Sequence, residues 1–192
     1  MAIEYELKFK ADYVNLMDIL AKFPQETMEL QMLTTYYDAP SGGLSSRRYT
    51  LRRRLENHRS VCTLKTPAGD ARNEWETEHT HIEDAIEDLI SRGAPEDLRN
   101  LAKEGLFPIC GAKFTRFAKT ITLENAVVEL ALDHGYLFAG EQKEPLCEVE
   151  VELKSGDKAA CREFADQLAA QFALEAQPRS KFARALRLYK GE

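Results

Sequence analysis

The feature that most constrains this chain is a period of two in which one whole face of a segment is charged. Ile3, Tyr5, Leu7 and Phe9 alternate with Glu4, Glu6, Lys8 and Lys10. Arg72, Glu74, Glu76 and Glu78 share one face of a second segment. Glu148, Glu150 and Glu152 oppose Cys147, Val149, Val151 and Leu153 in a third, and Glu129, Ala131 and Asp133 oppose Val128, Leu130 and Leu132 in a fourth. Arg52 and Arg54 share a face around Leu51, Lys65 follows Val61 and Thr63, and Arg116 lies between Phe114 and Ala118. Successive side chains of a strand point to opposite faces, so each stretch reads as a β-strand with an apolar and a charged side. A solvated sheet face usually mixes small polar residues with both signs of charge. Carboxylates two apart on several strands repel unless something cationic lies between them. Hard divalent cations such as Mg²⁺ and Mn²⁺ prefer carboxylate oxygen. Arginines two apart beside a lysine suit a polyanion with several phosphate oxygens. A surface rich in both suits a metal-phosphate complex.

Helical stretches interrupt the strands. The spacing predicts helices over residues 12 to 23, from Thr80 to Gly93 with a Thr80/Glu83 capping box, from Pro95 to near Gly105, over residues 157 to 172, and after Ser180. Tight turns, such as Asp133-His134-Gly135, join strands elsewhere. About eight short strands with helical excursions indicate an α+β class with antiparallel pairing. The 192 residues contain no repeat, low-complexity tract or linker, so a single domain over 1–192 is expected. A net charge of −6 argues against a general nucleic-acid partner. No run of 18 apolar residues encodes a membrane span, and charged residues within the first ten argue against a leader, so a cytoplasmic protein is expected. Cys62, Cys110, Cys147 and Cys161 form no CxxC pair and read as free thiols. His79 and His81 share a strand face, where two exposed histidines are a commoner reading than a metal site.

In order along the chain, Glu4-Tyr5-Glu6-Leu7-Lys8 resembles the ExExK signature of the CYTH domain, the triphosphate tunnel metalloenzymes. Thr35-Tyr36-Tyr37-Asp38-Ala39-Pro40, Leu51-Arg52-Arg53-Arg54, Thr63-Leu64-Lys65 and Arg72-Asn73-Glu74-Trp75-Glu76 resemble its next segments. The run from Glu129 to Gly135 resembles ExxxDxG, Cys147 to Lys154 resembles CExExELK, and Ser180 to Arg184 resembles the closing SKxxR.

The resemblance implies a closed eight-stranded antiparallel β-barrel, a tunnel with helices packed outside and the charged faces inward. It implies that Lys8, Arg52, Arg54, Lys65, Arg116 and Lys181 bind a small-molecule triphosphate, joined by Arg72 and Arg184, with Lys8, Lys65 and Arg54 nearest the chemistry. It implies that Glu4, Glu6, Glu76, Asp133, Glu148 and Glu150 hold Mg²⁺ or Mn²⁺, with Glu74 beside them and Glu129 and Glu152 at the rim or paired with arginines. The expected activity is hydrolysis of inorganic triphosphate by water attacking a terminal phosphorus. Three alternatives stay open: a class IV adenylyl cyclase, a thiamine-triphosphate hydrolase, and a non-catalytic polyphosphate-binding module. The resembling cyclases carry a His-Phe pair several residues before ExExK, whereas only Met1, Ala2 and Ile3 precede Glu4 here, which favours the hydrolase. Neither nucleic acid nor membrane is expected as a partner, and the resemblance leaves room for a homodimer.

Overall fold

A computed structural model describes residues 2–69 and 71–192. In chain order the elements are β1 (Ala2–Glu4), β2 (Glu6–Lys10), α1 (Tyr13–Lys22), β3 (Met28–Asp38), α2 (Gly43–Ser46), β4 (Thr50–Glu56), β5 (Arg59–Ala68) and β6 (Ala71–Glu78). There follow α3 (Ile82–Ser91), α4 (Asp97–Lys103), β7 (Phe107–Thr122), β8 (Ala126–Ala139), β9 (Gln142–Gly156), α5 (Lys158–Phe172), β10 (Glu175–Ala176) and α6 (Lys181–Lys190). All strands belong to one antiparallel sheet, ordered β1-β6-β5-β4-β3-β7-β8-β9-β2-β10.

This corrects the expected ring of eight strands. The sheet has ten segments, and its ladder runs from β1 to β10 without closing among the described residues. The count rises because the N-terminal strand is divided at Tyr5 and because the two-residue β10 adds to the edge of β2. The division has a geometric consequence. β1 pairs with β6 (Ala2↔Glu74, Glu4↔Arg72), while β2 pairs with β9 (Glu6↔Glu152, Lys8↔Glu150). Only Tyr5 separates the two, and its carbonyl accepts from the Leu153 N–H at 2.9 Å. Strands β6 and β9 therefore flank a single stretch of chain, which requires the whole sheet to curl.

The apolar faces explain which side lies outside. Leu7 and Phe9 of β2, Val128, Leu130 and Leu132 of β8, and Val149 and Val151 of β9 pack under Leu16 and Ile19 of α1 and Cys161, Ala165 and Leu168 of α5. On the other half, Leu51, Cys62, Leu64 and Trp75 pack under Ile82, Ala85, Ile86 and Leu89 of α3 and Leu98 and Leu101 of α4. Burying several such side chains, at roughly 1.5–3 kcal/mol each, fixes the strand faces, and a one-residue slip would send each one inward. The charged faces must then line the concave side. A third, smaller cluster joins Met32, Tyr36, Phe114, Leu137 and Leu146 to Ala185 of α6.

The helix ends follow local chemistry, with two departures. Asp12 caps α1 by accepting from the Asn15 N–H at 2.8 Å, Asp157 caps α5 from the Ala159 N–H at 3.0 Å, and Ser180 caps α6 from the Ala183 N–H at 3.1 Å. The predicted Thr80/Glu83 box does not form. The N-cap is His81, which has no side-chain capping bond, and the Thr80 carbonyl instead accepts from Arg53 at 2.7 Å. The predicted turn at Asp133-His134-Gly135 lies inside β8, where Gly135 pairs with Phe114. A Cβ there would stand 2.2 Å from the Lys113 carbonyl oxygen, so this glycine serves close strand approach rather than chain reversal.

Candidate functional site

The concave face of the sheet encloses a cavity of about 860 Å³, lined mainly by charged side chains from β1, β2 and β4 to β9 and from the start of α6. Its two sides differ. On the side of β4, β5 and β6, Arg52 and Arg54 project from alternate positions of β4. Register places Thr34 opposite Arg54 and Tyr36 opposite Arg52, so β3 supplies the neighbours of both guanidiniums. Arg54 Nε donates to Thr34 Oγ1 at 3.1 Å, and its nearest carboxylate, Glu56, is 3.7 Å away. Arg52 has Glu74 at 3.7 Å and Glu76 at 3.9 Å. Among the described residues, Arg72 meets only neutral oxygens, the Arg48 carbonyl at 3.0 Å, Thr50 Oγ1 at 3.2 Å and the Lys65 carbonyl at 3.3 Å. The Nε atoms of Arg52 and Arg72 are buried without a partner among the described residues. Burial, reinforced by the Arg52 and Arg116 charges, pushes the Arg54 guanidinium down to about 10, and burial also lowers Arg72.

On the side of β7, β8 and β9 the charges are matched. Arg116 grips Asp133 with two bonds, Nε to Oδ1 at 2.8 Å and Nη2 to Oδ2 at 2.7 Å, and also donates to Glu150. Lys181, at the first turn of α6, sets its ammonium 2.8 Å from Asp133, 2.8 Å from Glu148 and 2.6 Å from Glu150. Arg184, one turn on, bonds Glu148 and Glu144. Burial opposes charge at Arg116, Lys181, Glu148 and Glu150, and the opposite charges overcome it at all but Glu148. Lys181 and Arg116 hold Glu150 well below the usual carboxylate range, and the carboxylates hold Lys181 and Arg116 up. Glu148, fully buried, goes the other way, because burial outweighs Lys181 and the neighbouring Glu150 adds to it.

Between the two sides, the N-terminal strand segments contribute their own pairs. Glu4 contacts Lys65, which also has Glu74 at 3.1 Å. Glu6 holds Lys8 at 2.8 Å. Against burial, Glu6 and Glu150 keep the Lys8 ammonium above its ordinary value.

Lys8, Arg52, Arg54, Lys65, Arg72, Arg116 and Lys181 of the cationic set all line this cavity, as do Glu4, Glu6, Glu76 and Glu150 of the acidic set. Asp133 and Glu148 lie fully buried behind Lys181, and Arg184 lines a smaller adjoining cavity. Glu76, which accepts from Thr63 at 3.0 Å, has a half-exposed side chain, whereas Glu74 is 15% exposed and sits between Lys65 and Arg52. Glu129 and Glu152 do pair with cations, Glu129 with Arg116 at 3.8 Å and Lys154 at 3.7 Å, Glu152 with Lys154 at 2.9 Å. Arg48 also lines the cavity, while Arg53 donates to the Thr80 carbonyl on the outer side. The sequence reading missed Thr34, Glu56, Lys154 and Arg179. Thr34 was legible in principle, two residues from Tyr36 on one strand face. His79 does not join a metal set: its Nε2 lies 3.3 Å from Asp88.

Among the described residues, no three His, Cys, Asp or Glu side chains stand gathered for one metal ion. The donors that line the cavity are nonetheless carboxylate oxygens, the class that Mg²⁺ and Mn²⁺ prefer. Glu148 Oε2 is buried without a hydrogen bond, its contact with Lys181 being ionic but poorly aligned. The donor chemistry fits a hard divalent ion.

A family model, the CYTH domain, matches residues 2–186. The chain belongs to the CYTH domain family. This CYTH domain is 30% identical over 164 residues to the inorganic triphosphatase of Haemophilus influenzae, covering 81% of the present chain. It spans 45% of that relative's length. Among solved structures it is similar to a candidate adenylate cyclase of Bacillus halodurans, at 18% identity and a TM-score of 0.64 over 94% of this chain and 96% of that one. It is also similar to a Hippeastrum protein, a candidate adenylyl cyclase that reveals a dominant triphosphatase activity, at 16% identity and a TM-score of 0.62 over 100% of this chain and 97% of that one. At those identities the two structures support the fold alone. Among the described residues, no helix of this CYTH domain is long and apolar enough to cross a membrane.

Proposed function

We propose that the charged cavity inside the curled sheet hydrolyses inorganic triphosphate, with water attacking a terminal phosphorus. One observation carries this reading above all: the cavity is lined mainly by fixed cations and hard carboxylates, with two aromatic rings among the described residues. Those rings, Tyr36 and Phe182, lie against each other at 5.0 Å and a tilt of 48°, and Tyr36 is 3% exposed. A nucleoside or thiamine head group would need an apolar surface to stack on. A bare triphosphate needs only charge.

In this reading Lys8, Lys65 and Arg54 contact the phosphoryl oxygens at which charge develops. Arg52, Arg72 and Arg116 hold the rest of the chain of phosphates, since several cations are needed to outweigh the hydration of a polyanion. Lys181 and Arg184 hold the carboxylates of β8 and β9 in place. Glu4, Glu6, Glu76, Asp133, Glu148 and Glu150 are the residues that would hold a divalent ion. Mg²⁺ or Mn²⁺, when bound, supplies charge neutralisation at the phosphoryl oxygens and orients the attack. The loosely compensated arginines of β4 are pre-set for an anion, because they need not be pulled from carboxylates first. The relationship to an inorganic triphosphatase supports the same assignment.

The test is product analysis. The protein with Mg²⁺ or Mn²⁺ is given inorganic triphosphate, ATP or thiamine triphosphate, and orthophosphate, pyrophosphate and cyclic AMP are measured. Orthophosphate from inorganic triphosphate at a rate far above that from ATP is expected. Pyrophosphate with matching cyclic AMP from ATP would establish a cyclase instead.

A further inference from the structure

A smaller cavity of about 450 Å³ adjoins the first, and the same inward faces lead into both. Along β2, Glu6 and Lys8 line the larger cavity and Lys10, next on that face, lines the smaller. Along β9, Glu150 and Glu152 line the larger, Glu148 is sealed between, and Glu144 lines the smaller. Arg179 borders both. The partition between them is made by α6. Lys181, Arg184 and Arg187 recur every three residues and so follow one another along one side of the helix. Lys181 reaches the carboxylates behind the larger cavity, Arg184 spans from Glu148 to Glu144, and Arg187 lines the smaller cavity alone.

The charge of this second compartment is out of balance. Its one acidic wall residue, Glu144, is already taken by Arg184, whose Nε and Nη2 approach it at 2.8 and 2.6 Å. Lys10 has a solvent-exposed partner in Glu175 at 3.2 Å, a contact worth little. Among the described residues, the side chains of Arg179 and Arg187 have no carboxylate within 4.0 Å. A concave site with two such guanidiniums and a lysine suits a small tetrahedral oxyanion, which can take paired N–H donors from each arginine. We infer that the smaller cavity is a second anion site, taking inorganic phosphate on the far side of the Arg184 partition from the triphosphate cavity. The assignment does not depend on which triphosphate the larger cavity accepts.

Titration calorimetry of the full chain with inorganic phosphate, without metal, tests it. The variants are Arg187→Ala, Arg187→Glu and, in the larger cavity, Arg52→Ala. Removing one of three cations should weaken phosphate binding about tenfold, and reversing its charge should abolish the heat, while Arg52→Ala stays within about twofold of the parent. Arg187 is exposed, so its loss leaves the fold intact, which circular dichroism checks. Phosphate affinity unchanged in Arg187→Glu, no binding to the parent at 10 mM phosphate (about 2.7 kcal/mol of affinity at most), or a loss carried by Arg52→Ala instead, would overturn the second site. Failure of the triphosphatase assay would leave these binding results as they are, so the two readings fail separately.

Discussion

The two sides of the cavity hold comparable numbers of charges but solve the problem of burying them in opposite ways. On the β7–β8–β9 side, Arg116, Lys181 and Arg184 are matched to Asp133, Glu148 and Glu150 at 2.8 Å or less. On the β4–β5–β6 side, Arg52, Arg54 and Arg72 have no carboxylate within 3.6 Å among the described residues. The first side is a fastening: it ties α6 to the sheet with interactions inside the protein. The second is a reservoir of loosely compensated positive charge on its arginines, held in place by distant carboxylates, by neutral oxygens and by the packing of Leu51, Leu64 and Trp75 on the outer face. Paired charge ties α6 to the sheet on the first side, whereas the loosely paired arginines of the second are open to an anion; Lys8 and Lys65, paired with Glu6 and Glu4, fall between. An anion alone should therefore relieve the second side most.

The contrast breaks most readily at Arg116. Replacing it by alanine leaves Asp133, which is fully buried, with Lys181 as its one remaining cation. Breaking a buried pair from one end costs about 3–5 kcal/mol, and urea denaturation should show a loss of that size. A loss below about 1 kcal/mol, typical of exposed pairs, would mean that this side is no fastening.

On the opposite side the sign should change. Arg54 is buried beside Arg52 and Arg116, and its guanidinium is lowered to about 10. Arg54→Met removes a charge that the fold tolerates poorly and keeps most of the volume, so stability should hold or rise by about 1 kcal/mol. The same variant should lose most of the rise in melting temperature that Mg²⁺ with inorganic triphosphate gives the parent, since only the folded state binds. A variant less stable than the parent by about 2 kcal/mol would show that Arg54 is structural, and the contrast would fail there.

How far this was legible follows from the same distinction. The inward faces were visible as period-two charge, because a strand with one apolar side has only one face left for Glu148, Glu150 and Glu152. Which cation meets which carboxylate was not visible. Lys181 and Asp133 are 48 positions apart in sequence, and their contact depends on where α6 returns to the sheet. The division of the first strand at Tyr5 left no trace in an unbroken alternation from Ile3 to Lys10, so one strand was expected there, and the closed ring of eight was what the resemblance implied. Asp133-His134-Gly135 carried turn chemistry, but Gly135 answers to the closeness of β7. Local signals named the residues, and tertiary packing decided their partners.

The smallest effect concerns the outer fastening of the β4–β5–β6 side, where α3 lies against β6. Asp88 of α3 accepts from Thr77 of β6, stands 3.3 Å from His79, and pairs with Arg92 at 3.2 Å on its own helix. The Thr77 hydroxyl, then Arg92, lower its carboxyl from 3.8 to about 2. A depressed acid stabilises the fold above its unfolded pKa and loses that contribution as pH falls through the folded one. The contribution of Asp88 should thus be complete above pH 3.8 and fade as pH falls toward about 2. The site is partly exposed, so the effect is modest and sensitive to salt. Melting curves of the parent and Asp88→Asn should differ at pH 6 and converge at the acid end. Parallel curves over the whole range would mean that Asp88 contributes through its shape alone. The reservoir side would then be held only by the apolar contacts of α3 and α4, and its arginines would be the more easily displaced.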